Sequence, residues 1–308
     1  MKLKHIFSVL AIILVSGCIG GSQIAPISPV VQGDSGLDFT IQNVPDYLQS
    51  GSTFSFILEI INYGGYSVPS EQINVNLANT NFFEYSQDTL TNDIPLTKRT
   101  QDLDRGGIDY LSFDNVLFSL PALAGDTTSL SLNTCYYYQT EGLVDICVSD
   151  DSYGEICNAV GEKEVYSSAA PVKISEFSQL NSLKVGSDIK STIRFKINKM
   201  GSGTVSSKEN NDFGCSSVDL DQSSVRINSI RIGNIEFNSD GQTSNTVSQI
   251  CGGSEIINFN DKDEATVTCN IITYQGWTSA LGEFEERLVI TLGYVNNEII
   301  SKELSIIG

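Results

Sequence analysis

Cysteine is the residue type that offers the most chemistry in this chain. The first of seven cysteines, Cys18, follows a basic start and an apolar run from Ile6 to Val15. These are the parts of a secretory signal. The stretch Val15-Ser16-Gly17-Cys18 has the pattern of a lipobox, so we predict that the Cys18 thiol carries a lipid and becomes the mature N-terminus. An ordinary signal peptide with an incidental cysteine is the alternative.

The other six cysteines predict up to three disulfides, because an exported chain matures under oxidising conditions. They are Cys135, Cys147, Cys157, Cys215, Cys251 and Cys269. Thiolate metal binding is the weaker alternative, since no Cys-x-x-Cys spacing occurs. We prefer the pairs Cys147–Cys157 and Cys251–Cys269. Cys135 facing Cys147 across a hairpin at Gly142 remains an alternative, and Cys135 and Cys215 either bridge the two halves or stay as thiols.

Histidine is missing from the predicted mature chain, because the single His5 leaves with the signal. This excludes Ser-His-Asp and Cys-His triads, histidine general bases and histidine-containing zinc sites. Catalysis by two carboxylates or by a Ser-Lys pair remains conceivable, but no motif for either is present. We therefore predict a protein that is not an enzyme and that needs no cofactor.

Carboxylates gather in three predicted loops, of which Asp261, Asp263 and Glu264 form the densest group. Asp150 with Asp151, and Asp219 with Asp221, form the other two. Such hard oxygen ligands could hold calcium, which needs 6–8 oxygens. None of the loops matches the twelve-residue calcium-binding loop. Solvated turn carboxylates are the preferred interpretation, and no metal is predicted.

The charge is strongly acidic, with 18 basic and 37 acidic residues and a formal net charge of -19. Removing Lys2 and Lys4 with the signal leaves 16 basic residues, which gives -21 for the mature chain. This field repels nucleic acid and anionic lipid. No cluster of Lys and Arg is evident along the sequence.

Alternation of apolar and polar residues dominates the chain from Leu37 onward, as in Phe54, Phe56, Leu58 and Ile60. A period of two predicts strands with one buried face. No long helical period with a cap and a stop occurs. We therefore expect an all-β protein with two tandem immunoglobulin-like antiparallel β-sandwiches after the lipoprotein signal peptide. A barrel is the structural alternative.

The predicted organisation is a signal peptide at 1–17, the lipidated Cys18 and a linker to residue 36, and domains at 37–170 and 171–308. A faint repeat supports two similar domains: Ile61 to Val68 and Asn198 to Val205 both run from Asn through Gly to Val. Gly there allows the positive φ of a tight turn.

Aromatic residues could mark a binding surface. In Tyr136-Tyr137-Tyr138, the first and third rings lie on one face of a strand and the second on the other, which would suit a sugar- or protein-binding platform. Core and edge packing is the preferred interpretation. The only tryptophan, Trp277, is either a core residue, which we prefer, or an exposed contact anchor.

A resemblance supports this picture. The stretch from Phe54 to Val68 resembles the immunoglobulin-like cell-adhesion-related domains of prokaryotic surfaces. The wider chain resembles exported archaeal lipoproteins of uncertain role. The resemblance rests on Val15 to Gly21, Cys135 to Tyr138, Val144 to Cys147, Cys157, and Ala170 to Val172. The resemblance implies a surface sandwich protein and implies no chemistry.

These observations predict a lipoprotein anchored to the outer face of the cytoplasmic membrane, acting as a non-enzymatic interaction or structural module. Its partners would be the membrane, reached through the lipid, and a surface protein or glycan that the sequence does not identify. Self-association through exposed strand edges is a further expectation. A lipid-anchored solute-binding receptor is the alternative, and an exported carboxylate-dependent glycan hydrolase is less favoured.

Overall fold

The computed structural model describes residues 31–33, 35–119, 125–150, 156–186, 188–207, 223–239, 246–273 and 283–307. These residues are nearly all β, with eighteen strands and one short helix, which confirms the expected all-β class. All but one of the pairings between these strands are antiparallel. The immunoglobulin-like arrangement and the division into two domains stay predictions.

The strands are numbered in chain order. The first half contains β1 (Leu37–Gln42), β2 (Tyr47–Gln49), β3 (Thr53–Asn62), β4 (Ile73–Leu77), β5 (Phe83–Glu84), β6 (Leu90–Thr91), β7 (Ile108–Phe118), β8 (Thr127–Val148), β9 (Gly161–Lys163) and β10 (Val165–Ser167). The second half contains β11 (Val172–Val185), β12 (Asp188–Lys199), β13 (Thr204–Ser206), β14 (Ser224–Ile232), β15 (Ile235–Asn238), α1 (Val247–Ile250), β16 (Ile256–Asn258), β17 (Glu264–Thr273) and β18 (Phe284–Ile307).

Three sheets organise these strands. The central sheet has ten strands, with the order β15-β14-β18-β8-β4-β6 and with β2, β10, β13 and β16 paired beside this path. The first flanking sheet has the order β1-β3-β7-β5. The second flanking sheet has the order β17-β12-β11-β9. The first flanking sheet comes from residues before 120, and the second from residues after 160.

Two long strands hold the central sheet together. β8 and β18 pair antiparallel in an unbroken register from Thr127 opposite Ser305 to Val148 opposite Phe284, which makes 22 pairs. At ~3.4 Å per residue this ladder is roughly 70 Å long. β8 lies before the expected domain boundary at residue 170, and β18 lies after it. The central sheet therefore takes strands from both sides of that boundary.

The prediction of a hairpin at Gly142 is wrong, because Gly142 lies inside the continuous strand β8. Its missing side chain makes room for β11: a Cβ atom at Gly142 would lie 2.7 Å from Cδ1 of Ile174. The glycine permits a close approach between two layers and does not turn the chain. Cys135 and Cys147 consequently lie far apart along one strand and do not face each other across a turn.

Both flanking sheets pack on the same face of the central sheet. Phe39 of β1 lies 5.7 Å from Tyr136 of β8, measured between ring centroids, and Ile174 of β11 covers Gly142. Tyr136 and Gly142 are an even number of residues apart on β8, so they point to one side. The first flanking sheet covers one end of the long ladder and the second covers the other end.

The predicted repeat falls at corresponding places, at the ends of β3 and β12. Tyr63 donates its backbone N–H to Gly36 O at 2.9 Å, and Met200 donates to Pro171 O at 2.7 Å. Each bond links the end of one flanking strand to the residue just before the start of its neighbour. No helix among the described residues is both long and apolar enough to cross a bilayer.

Candidate functional site

The middle of the central sheet, which we call the waist, lies between the two flanking sheets. Tyr136 and Tyr138 of β8 and Tyr294 of β18 point into it, and all three side chains are fully buried. The ring centroids of Tyr136 and Tyr138 are 6.0 Å apart, and those of Tyr138 and Tyr294 are 6.4 Å apart. These rings fill the gap between the flanking sheets, and each brings a hydroxyl group that needs a partner.

Tyr294 ties the second flanking sheet to the waist. The Thr140 hydroxyl donates to Val172 O at 2.7 Å, so its oxygen accepts from the Tyr294 hydroxyl at 3.0 Å. The backbone N–H of Val172 donates to the same tyrosine oxygen at 3.2 Å. Because Val172 begins β11, these bonds fix where the second flanking sheet starts.

Tyr138 attaches the first flanking sheet to the waist by hydrogen bonds. Its hydroxyl donates to Asn62 Oδ1 at 3.3 Å and accepts from the backbone N–H of Tyr66 at 3.4 Å. Asn62 is fully buried at the end of β3, and its Nδ2 donates to Tyr66 O and Leu96 O. A Cβ atom at Gly64 would overlap the tyrosine oxygen, so only glycine fits there.

Burial keeps these tyrosines neutral. Desolvation raises the pKa of Tyr136, Tyr138 and Tyr294 far above the ordinary tyrosine value. Beside them, burial also raises the pKa of Glu298, while the hydrogen bond donated by Tyr136 lowers it and the charge of Asp38 raises it further. Neutral phenols held by satisfied hydrogen bonds stabilise a fold and do not provide a nucleophile.

The packing interpretation of Tyr136-Tyr137-Tyr138 is confirmed, because none of the three rings is exposed. Tyr137 lies on the opposite face of the central sheet, where its hydroxyl oxygen accepts from Asn228 Nδ2 at 2.9 Å and from Gln139 Nε2 at 3.1 Å. This run is therefore not a binding platform. Trp277 lies outside the described residues.

A cleft of about 260 Å³ opens beside the waist on the Tyr137 side of the sheet. Its lining residues are Gly65, Tyr66, Ser67, Lys98, Gln139 and Glu141. The volume is just below the ~300–1,000 Å³ of typical ligand pockets. An ammonium, a carboxylate, an amide and hydroxyl groups suit a small polar ligand such as a monosaccharide. Glu141 is the one carboxylate among the described lining residues, whereas glycoside hydrolysis needs two.

Both preferred disulfides form. The sulfur atoms of Cys147 and Cys157 are 2.07 Å apart, and those of Cys251 and Cys269 are 2.03 Å apart. Cys135 is also disulfide-bonded. The alternative pairing of Cys135 with Cys147 is therefore wrong. Cys215 and the predicted lipidation site Cys18 lie outside the described residues.

The calcium candidates Asp261, Asp263 and Glu264 lie in the turn before β17 and at its first residue, and two of them face lysines. Lys199 Nζ lies 3.2 Å from Asp263 Oδ1, and Lys196 Nζ lies 3.0 Å from Glu264 Oε2. Their carboxylates do not form a cluster of the kind that holds an ion, within the part of the chain that the structure describes.

The remaining loop carboxylates give no further site. Asp150 is exposed just after the end of β8. Asp151, Asp219 and Asp221 lie outside the described residues.

One group of potential metal ligands does converge among the described residues: Cys147, Cys157 and Glu283. The two sulfur atoms are joined in a disulfide, so they cannot act as thiolate ligands. Glu283 instead accepts a hydrogen bond from the backbone N–H of Ile156 at 2.8 Å. This group therefore fixes the chain beside the disulfide at the far end of β8.

Sequence reasoning missed a row of basic residues on β12 of the second flanking sheet. Lys190, Arg194 and Lys196 of β12 point outward, because the apolar residues between them point into the core. The signal that could have identified these residues is their even-numbered spacing along one strand, because this spacing puts their side chains on one face. A search for consecutive charges does not find these residues, because uncharged residues separate them in the sequence.

A scan of protein-family models and a search of curated proteins found no match for this chain.

Proposed function

We propose that the chain is a membrane-anchored surface lipoprotein that serves as a non-enzymatic interaction or structural module of the cell envelope. The observation that carries this proposal is the 22-pair ladder of β8 and β18. Opening an angle between the two halves would break ladder hydrogen bonds, so the body acts as one stiff unit. The resemblance to exported archaeal lipoproteins with immunoglobulin-like domains supports the same role.

The place where the tether joins the body supports display close to a membrane. Val31 O accepts a hydrogen bond from Ala169 N, and Gly36 O accepts one from Tyr63 N. Val31 and Gly36 are therefore held at the waist. Val31 comes thirteen residues after Cys18, and at ~3.3–3.6 Å per residue this tether spans at most about 45 Å. The body would lie near the membrane with both flanking sheets available to partners.

A lipid-anchored solute-binding receptor is the second candidate, and the cleft at Tyr66, Lys98 and Glu141 favours it. The test is a thermal shift with single monosaccharides and amino acids, on the wild type and on Glu141→Gln. A rise in melting temperature that the variant loses supports ligand binding at the cleft. Hydrolysis of any glycan in a broad screen contradicts the non-enzymatic proposal.

Cell fractionation tests the anchored surface location. The wild type is expected in the membrane fraction, accessible to protease added outside intact cells, while Cys18→Ala is released from the membrane. Ser22→Ala in the adjacent linker is the matched control and should stay attached. A wild-type chain found in the cytosol with reduced cysteines overturns the proposal.

A further inference from the structure

The central sheet has a gap along one edge of β8. On that edge β4 pairs with residues 132–136 and β10 pairs with residues 142–144, so residues 137–141 lie between the two partner strands. On the other edge β18 pairs with the whole of β8. The cleft of about 260 Å³ lies at this gap, because Gln139 and Glu141 are among its lining residues.

The backbone of Gln139 points into the gap. Glu141 N–H donates to Ser168 Oγ at 2.9 Å, and Glu141 O accepts from Ser168 N–H at 2.8 Å, so the backbone groups of Glu141 face the edge away from β18. Residues two apart on an antiparallel strand direct their backbone groups to the same edge. Among the described residues, nothing bonds to the Gln139 backbone on this edge. One N–H and one C=O are therefore open to a ligand in the cleft.

Two opposite charges border the same cleft. Lys98 and Glu141 are both exposed there, and within the described ranges neither forms an ion pair, with the other or with a third residue. The backbone N–H of Lys98 donates to Ser67 Oγ at 2.9 Å, which holds this residue beside the cleft. A ligand that carries both a carboxylate and an ammonium group can pair with both charges, whereas a neutral sugar can form no ion pair with either.

Tyr66 gives the cleft a fixed aromatic wall. Its ring lies edge-on to two rings of β8, with centroids 6.2 Å from Tyr137 and 5.4 Å from Tyr138. Its backbone N–H donates to the Tyr138 hydroxyl at 3.4 Å. Because these contacts already order the ring, a ligand that packs its carbon atoms on it loses little free energy in arranging the site.

We propose that this cleft binds a free α-amino acid in its zwitterionic form. The ligand's carboxylate pairs with Lys98 and its ammonium group pairs with Glu141, and the open N–H and C=O of Gln139 offer each of them one further hydrogen bond. These are groups that all α-amino acids share, so the site selects the zwitterion. This inference deepens the receptor candidate of the proposed function and rests on it. Because both charges are exposed, the expected dissociation constant is on the order of 1 mM.

Titration of the full mature chain with L-alanine, followed by NMR, tests the proposal. Two matched probes each lack one charge: N-acetyl-L-alanine keeps the carboxylate, and L-alaninamide keeps the ammonium group. Both should bind about fivefold more weakly than L-alanine, because each loses one charge pair. The backbone amide signal of Gln139 should shift when L-alanine binds.

Two variants assign the two ends of the ligand. Glu141→Gln should remove the preference for L-alanine over N-acetyl-L-alanine, and Lys98→Gln should remove the preference over L-alaninamide. The matched controls are Glu303→Gln and Lys302→Gln, which make the same changes at exposed positions of β18 and should keep both preferences.

Three results overturn the proposal: no binding of L-alanine at about 10 mM, equal binding of the three probes, or preferences that both cleft variants retain. Titration with D-glucose separates this failure from failure of the receptor candidate. Glucose binding that Glu141→Gln abolishes, without binding of L-alanine, leaves a receptor but not one for zwitterions. Binding of neither overturns the receptor candidate as well. None of these results changes the fractionation of Cys18→Ala, which tests the surface role by itself.

Discussion

The two flanking sheets occupy corresponding places on the central sheet but differ in what stabilises them and in what they present to solvent. The strands of the first carry six phenylalanines and no cysteine. The strands of the second carry two phenylalanines, and Cys269 of β17 is bridged to Cys251. The strands of the first carry carboxylates and no basic residue, whereas the strands of the second carry residues of both charges.

This difference separates the roles of the two faces of a sheet. The inner faces must fill the same kind of space, and they do so either with stacked rings, such as Phe56 and Phe113 at 4.5 Å, or with smaller residues and a disulfide. The outer faces are free of that constraint. They differ in charge, because only the second flanking sheet carries basic residues.

Removing the Cys251–Cys269 disulfide should have the largest effect on the difference in stability between the two flanking sheets. Cys251→Ala with Cys269→Ala opens a loop with a sequence separation of 18, and the chain-entropy estimate is a loss of about 3 kcal/mol. Native-state hydrogen exchange should show this loss in β12 and β17 and little change in β3 and β7. Thr268→Ala, on the outward face of β17, is the control. Equal loss in both flanking sheets would mean that they unfold as one unit.

Adding a side chain at Gly142 should weaken the packing of β11, and so of the second flanking sheet, on β8. A Cβ atom there would lie 2.7 Å from Ile174 Cδ1, and overpacking of this kind costs about 1–3 kcal/mol. Chemical denaturation of Gly142→Ala measures the loss. Combined with Ile174→Ala, the loss should be smaller than the sum of the two single losses, and a double-mutant cycle without coupling would contradict the contact.

Two of the waist tyrosines, Tyr138 and Tyr294, can be compared by matched substitutions with smaller expected losses of stability. Tyr294→Phe leaves the backbone N–H of Val172 without its acceptor, so a loss of about 1–2 kcal/mol is expected. Tyr138→Phe removes two longer hydrogen bonds, at 3.3 and 3.4 Å, and should cost less because hydrogen bonds weaken as they lengthen. Unfolding free energies of both variants test the order. A larger loss for Tyr138→Phe would reverse our ranking of the two attachments.

The smallest effect should depend on pH. Burial raises the pKa of Glu298 above its unfolded value of 4.5, so its contribution to stability is fully present below that unfolded value and is lost as pH rises through the folded pKa. Glu298→Gln removes the ionisation. Its melting temperature should exceed the wild type's at neutral pH and approach it below the unfolded pKa. Glu303→Gln, an exposed site on the same strand, should show no such dependence.

Parts of the site could be predicted because they depend on local spacing. Cys147 and Cys157 are ten residues apart in the sequence, and their pairing needs no long-range information. Gly142 misled the prediction because the same residue type serves a hairpin and a close approach between layers. The surroundings of the basic residues on β12 could not be predicted, because Lys190 and Arg194 become neighbours of Leu183 and Thr268 only when the strands pair.

The sequence by itself determined the all-β class, through alternation that buries one side of each strand, and it determined the acidic charge. Tertiary structure alone decided that β8 and β18 run through both halves of the molecule. It also decided that Tyr138 bonds to Asn62. Strand register is a long-range property, and no local pattern specifies which strand a given edge will choose.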